Sequence, residues 1–287
     1  MALIAGLVIH SFIIGVNVSD WWRGKSVTPV DLIVTSLGIV RMCAQSVNTL
    51  YLLVDSVYTG GLDLLIAINM AYYLFSCANV WLTSLLSIVL CLKISNLHTR
   101  PFLYLRRMML PRTGCLIVAS VLLSVANLLF PLCRMINEVE FGRIYNITMY
   151  HQFTDCNNSH FLYIYIIGDF FPLLFYSISS VLLFVSLYLH TTRMKMSSNL
   201  SINLETYYSA MRFVAFTFLY ITFYFCGHYV CFLYYHFYCV DLPWLIVILD
   251  IPSVLHSSYL IYTTAKLRSQ MSKVLQNVMD FLFQRKN

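Results

Sequence analysis

A chain of 287 residues that is 60% hydrophobic and only 10% charged lacks the polarity of a water-soluble domain, in which about a quarter of the residues are charged. Its net charge of +6 sits in short basic segments between apolar blocks, so it marks topology and attraction to an anionic leaflet and excludes a nucleic-acid surface. The blocks are continuous, not alternating, which leaves helices as the spanning elements.

About 20 apolar residues cross a bilayer as a helix, and seven blocks of this kind are read at about 2–18, 32–54, 64–94, 114–132, 161–189, 213–235 and 242–265. They predict an all-α bundle of seven transmembrane helices within a single domain, 1–287. The first block starts almost at Met1 and is followed by Arg23 and Lys25. It is read as an uncleaved span with its N-terminus outside. In that topology 15 of the 18 Lys and Arg residues fall on the cytoplasmic side, Arg134 and Arg143 fall outside, and Arg41 lies within the second span. The C-terminus is then cytoplasmic, and the expected location is the plasma membrane.

The basic stretch 97–112 follows the third span and is punctuated by Pro101 and Pro111. Its segment 103–109 is amphipathic enough to lie on the inner membrane surface. The longest external loop, 133–160, carries two glycosylation sequons, Asn146-Ile-Thr148 and Asn157-Asn-Ser159. Cys133, Cys156 and Cys239 lie outside, and their odd number leaves any disulfide open. After the seventh span, about 267–284, apolar Val274, Leu275, Val278 and Leu282 share one face opposite basic residues. That pattern predicts a short amphipathic helix in the interface plane.

Ionisable residues within hydrocarbon are costly and mark functional candidates. At about 1.5 Å per residue, Arg41 stands about 13 Å from the cytoplasmic end of the second span, the same height as His256 on the seventh. Asp250 stands about 9 Å higher. Arg41 is therefore expected to bond to the region 253–257 and to the backbone of the first helix, as a structural pin or as a switch. Nearer the outside, Asp169, Asp250, Tyr72, Ser76, Tyr224 and His228 fall about 10–18 Å deep on four helices. Together they predict an outward-facing ligand pocket, mostly apolar with a few polar groups. Ionised acids there would favour cationic agonists, helped by aromatic faces. His190, His228 and His256 lie on different helices and levels, with neither metal-ligand spacing nor a nucleophile–base arrangement. No enzymatic activity, metal or cofactor is expected.

Seven helices are only an architecture. The third span ends Cys91-Leu92-Lys93-Ile94 with no acidic-Arg pair, and the seventh lacks an Asn-Pro motif. The positive matches are Phe12-Ile13 through Val16-Asn17 to Asp20-Trp21, then Ser36-Leu37-Gly38-Ile39-Val40-Arg41. Trp81, Leu86, Ser87, Leu92, Lys93, Ile94 and Asn96 follow on the third span, and Phe102-Leu103-Tyr104-Leu105-Arg106 after it. Further on come Leu183-Phe-Val-Ser186-Leu187 with His190 and Met194, and His256-Ser257-x-x-Leu260-Ile261 with Lys266-Leu267. In order and at these depths, they resemble the type 2 (bitter) taste receptor family.

The resemblance implies a G-protein-coupled receptor for small bitter agonists, acting through gustducin or a related inhibitory-type G protein. It places Tyr72 and Ser76 where that family has agonist-contacting Trp and Asn. It also assigns coupling or switching roles to Arg41, Lys93, Leu187, His190, His256 and Ser257. The chain departs from the pattern at His10 and Thr264, where Asn is usual, at Leu90, where Tyr is common, and in the placing of Pro252. A type 1 vomeronasal-like pheromone receptor is the nearer alternative. A small transporter or channel is the rival from another class, and the chain shows no repeat of the kind such proteins carry.

Overall fold

The computed structural model describes residues 2–57, 62–95, 99–140, 166–196, 204–238 and 243–284. Within them the chain is helical throughout, and no strand occurs among the described residues. The helices are α1 (Ala2–Trp22), α2 (Pro29–Val57), α3 (Leu62–Ile94), α4 (Arg100–Met109), α5 (Thr113–Glu140), α6 (Phe171–Met196), α7 (Leu204–Tyr238), α8 (Pro243–Thr263) and α9 (Ala265–Gln284). A π-helical turn, Ile166–Phe170, leads into α6.

The short connection between α1 and α2 shows how local chemistry sets these ends. Gly24 has φ 72°, the left-handed conformation that glycine adopts without a Cβ penalty. Gly24 N–H donates to Trp21 C=O at 3.0 Å and Lys25 N–H to Asp20 C=O at 3.1 Å. These two bonds close α1 in a Schellman motif. Four residues later α2 opens with a capping box: Asp31 N–H donates to Thr28 Oγ1 at 3.2 Å, and Thr28 N–H to Asp31 Oδ2 at 3.3 Å. Pro29 occupies the first helical position, where its missing N–H costs nothing.

Among the described residues, five helices are long and apolar enough to cross a membrane, with spans at Leu3–Trp22, Pro29–Val54, Ala67–Ile94, Gly168–Arg193 and Tyr208–Cys231. A sixth comes from the bent pair Arg100–Met109 and Thr113–Leu129, whose axes meet at 84°. In α8 most side chains before Ile251 lie outside the described residues. Helix ends differ from the sequence expectation. α1 reaches Trp22 instead of Val18, and α5 reaches Glu140 instead of Leu132. Polar residues continue a helix past the hydrocarbon boundary because the backbone hydrogen bonds do not stop there.

α3 forms the axis of the bundle: it contacts α2, α4, α5 and α6, while α1 touches both α2 and α8, and α7 joins α8 to α6. Of α3's apolar window 67% is buried, against at most 44% in the other spans. α6 lies on the outside, exposing Phe171, Leu174, Phe175, Ile178, Val181, Leu182 and Val185. An apolar surface this continuous suits lipid, not water.

Three packed clusters fill the interior. Ile13, Ile33, Leu37, Leu82, Val89 and Ile261 join α1, α2, α3 and α8. Tyr176, Tyr220, Ile221, Tyr224 and Phe225 lie between α6 and α7 against Val80. Leu92, Phe102, Leu183, Leu187, Met211 and Val214 tie α3, α4, α6 and α7 together.

The ends of α1 and α3, the starts of α2, α5 and α7, and helices α4 and α9 define one end of the bundle, called the basic end here. Lys266 Nζ lies 3.0 Å from Asp20 Oδ2 and 3.6 Å from Asp31 Oδ1. It also donates to Asn17 Oδ1 at 2.9 Å, and Lys25 Nζ meets Asp20 Oδ1 at 2.7 Å. One lysine at the root of α9 thus fastens α1 and α2.

Candidate functional site

α3 brings a polar stripe into the interior of an otherwise apolar helix: Ser76, Asn79, Thr83 and Ser87 recur every three or four residues and share one face. All four are buried, and each finds a partner on a neighbouring helix. Along this stripe lie an upper cavity, a central cation and a lower serine clamp.

At the top, Ser76 Oγ and Tyr224 OH are hydrogen-bonded at 3.0 Å. The Tyr224 and His228 rings stand 4.4 Å apart, centroid to centroid. Tyr72, Ser76 and Tyr224 line a small cavity with Arg41, Ala44, Gln45, Asn79 and Ser253. Three of the six ligand-site residues expected from sequence therefore line one cavity, and the His228 ring lies tilted against Tyr224.

Asp169 lies elsewhere, in the π-helical turn before α6. Its neighbour Gly168 accepts a hydrogen bond from the Cys77 thiol at 4.0 Å, and a Cβ at Gly168 would meet Asn127 Nδ2 and Tyr73 OH. That turn packs on α3 and α5, away from the Ser76–Tyr224 cavity. Asp250 is placed in α8, but its side chain is outside the described residues, as are Asn146, Asn157, Cys156 and Cys239. Cys133 is exposed and free.

Below the cavity stands Arg41, 2% exposed. Its Nε donates to Asn79 Oδ1 at 2.8 Å. Its Nη1 donates to His256 Nδ1 at 2.8 Å and to Ser257 Oγ at 2.9 Å. Its Nη2 reaches Thr83 Oγ1 at 3.4 Å. A guanidinium has no acceptor, so His256 Nδ1 must accept, which puts the imidazole proton on Nε2. The His256 ring stacks on Tyr220 at 5.0 Å, and Tyr220 OH is 3.3 Å from Ser253 Oγ. The sequence pointed to the region 253–257 and to the first helix's backbone. The first pairing is present, while on the other side Asn79 and Thr83 of α3 take the place of the α1 backbone. The missed signal was the 76–79–83 spacing itself.

Further down, Ser87 Oγ lies 3.0 Å from Ser180 Oγ and accepts from Ser179 Oγ at 2.8 Å. Ser84 Oγ donates to Pro172 C=O at 2.6 Å. These bonds clamp α6 to α3. At the basic end Lys93 is exposed and His190 half-buried, but Leu187 is 3% exposed within the third cluster. Leu187 packs α6 against α3 and α4 instead of facing outward.

Nothing here resembles a catalytic centre, and no group of three or more metal-ligating side chains occurs among the described residues.

Comparison with known proteins adds the following. The family model for taste receptor protein (TAS2R) matches residues 1–279. Taste receptor type 2 member 41 of Pan paniscus is 29% identical over 197 residues, 66% of this chain and 64% of that protein. Member 16 of Rattus norvegicus is 26% identical over 217 residues, covering 72% and 70%. Member 2 of Homo sapiens is 26% identical over 232 residues, covering 77% and 75%. The chain thus spans just under two thirds of the length of the first of these relatives, and more of the other two.

Proposed function

The chain belongs to the taste receptor protein (TAS2R) family, and from that premise we propose that it is a chemosensory G-protein-coupled receptor for small bitter compounds. Its N-terminus faces outside and its basic end faces the cytoplasm. This orientation rests on the distribution of Lys and Arg. It makes Asn146 and Asn157 external and available for glycosylation.

The observation that carries the reading is the vertical continuity of the α3 stripe. An agonist resting on Tyr72, Ser76, Tyr224 and His228 would sit directly above the Arg41 network. Tyr72, Ser76 and Tyr224, which would form the floor of that site, also wall the small cavity that reaches Arg41 and Ser253. Separating Ser76 from Tyr224, or Tyr220 from Ser253, alters the packing on His256 and hence a bond of Arg41. Agonist binding then favours whichever arrangement of α2, α3 and α8 it contacts better, and coupling equals that differential affinity. Asp250, on α8 toward the outer end, would select cationic or amine-bearing agonists. Asp169, in its turn against α3 and α5, would do so only for agonists long enough to reach that side.

At the cytoplasmic end the G-protein surface comprises Lys93, α4, His190 and the exposed bases at the start of α9. Leu187 contributes by holding α6 in register, His256 and Ser257 by holding Arg41. The partner is a gustducin-like inhibitory G protein. Agonist-dependent calcium release in cells carrying a promiscuous G protein tests the proposal. Ser76→Ala and Tyr224→Phe should each shift potency while leaving cell-surface expression intact. A chain that reaches the surface yet answers no member of a broad bitter panel, or conducts ions when reconstituted, would sink it.

A further inference from the structure

A guanidinium buried away from water normally faces a carboxylate, because an uncompensated charge in a low-dielectric interior is costly. Arg41 has no such partner among the described residues. Its four hydrogen-bond acceptors, on Asn79, Thr83, His256 and Ser257, are all neutral. Ion pairs among the described residues gather instead around Lys25 and Lys266 at the basic end.

Against the guanidinium lies the cavity with about 10 Å³ of room for a water-sized centre, whose wall includes Gln45, Ser76 and Ser253. Gln45 is 3% exposed, and neither its Nε2 nor its Oε1 has a hydrogen-bond partner. Buried carboxamides are almost always satisfied. A Cβ on Gly6 would strike this carboxamide, so the α1 backbone backs it from one side. Gln45 also lines the cavity beside Arg41.

We propose that this cavity binds a small monovalent anion, chloride in the cell, held between the Arg41 guanidinium and the Gln45 carboxamide N–H. A cavity this small favours a monatomic anion over the larger carboxylate, phosphate or sulfate. The hydroxyls of Ser76 and Ser253 can each turn a proton toward it. A water molecule would fit the same space, but it leaves the positive charge uncompensated. The inference uses the charge and the cavity alone, and the agonist proposed above would rest over that cavity and not inside it.

The test is thermal unfolding of the full chain in lipid nanodiscs without agonist, in chloride, bromide, sulfate or gluconate at matched ionic strength. Chloride and bromide at about tenfold above their dissociation constants should raise Tm by about 3–6 °C over gluconate. Sulfate should not, and Gln45→Leu should remove the increment. Equal Tm in chloride and gluconate would mean that the cavity holds water only, and would overturn the proposal. So would an increment that survives in Gln45→Leu, or one that sulfate reproduces. If Gln45→Leu yields no folded protein, anomalous scattering from bromide decides: a peak beside Arg41 supports the site, and a cavity without one refutes it.

Discussion

Asn79→Leu against Thr83→Val gives the sharpest test of how Arg41 is held. Both remove an acceptor from the same buried guanidinium, and both keep roughly the same side-chain volume. Asn79 accepts at 2.8 Å and Thr83 at 3.4 Å. A short hydrogen bond to a charged donor contributes about 1.5–3 kcal/mol, whereas one near the distance limit contributes little. Asn79→Leu removes the acceptor of the Nε proton, so its cost falls within that range. Converted at about 2–4 °C per kcal/mol, it should lower Tm by about 3–12 °C, with Thr83→Val within about 2 °C of the parent. Thermal unfolding of the purified receptor, followed by a thiol-reactive dye or intrinsic fluorescence, reads both. Equal shifts, or a larger one for Thr83→Val, would show that Arg41 is not held by the acceptors assigned here.

Other substitutions probe separate parts of the scaffold. Gly24→Ala places a Cβ at φ 72° and should cost about 1–2 kcal/mol, measurable as a lower Tm, with agonist potency unchanged. Ser87→Ala removes the group that both Ser179 and Ser180 bond. It should cost about 1–2 kcal/mol and raise hydrogen exchange at the middle of α6. Leu187→Ala opens a cavity in the third cluster and should cost about 2 kcal/mol, visible as reduced surface expression; it should also weaken coupling more than ligand binding. Lys266→Met, by contrast, removes a half-exposed ion cluster and should shift Tm by no more than about 1 kcal/mol equivalent. Its signature is faster hydrogen exchange along α9.

The helical class and the apolar stretches were readable because a bilayer imposes length and continuity on anything that crosses it. Helix ends were not, since Ser19-Asp20-Trp21-Trp22 and Arg134–Glu140 remain helical after hydrophobicity has stopped reporting. Height along a helix was also readable. Counting residues put Arg41 level with His256, and the two are bonded. Rotation about the helix axis was not. α3 is so apolar overall that its narrow polar stripe does not by itself tell which neighbour it faces, and Asn79 and Thr83 went unassigned until packing revealed their direction. The same blindness affects Asp169. Its depth was sensible, but the π-helical turn, which no residue pattern announced, directs it toward α3 and α5. Leu187 was recognised by family spacing, yet spacing does not distinguish a contact surface from the core that supports it.

The mooring of α9 by Lys266 has a consequence for motion. Two carboxylates, an asparagine and a lysine knot the roots of α1, α2 and α9, and the tight glycine turn and capped start of α2 stiffen the hairpin between them. That trio behaves as a fixed post. Among the described residues, α6 and α7 meet at the same end through greasy side chains such as Leu183, Met211 and Val214, which slide past one another without losing directional bonds. Were the basic end to open to a partner as proposed above, α6 and α7 would swing while α1, α2 and α9 stay in place.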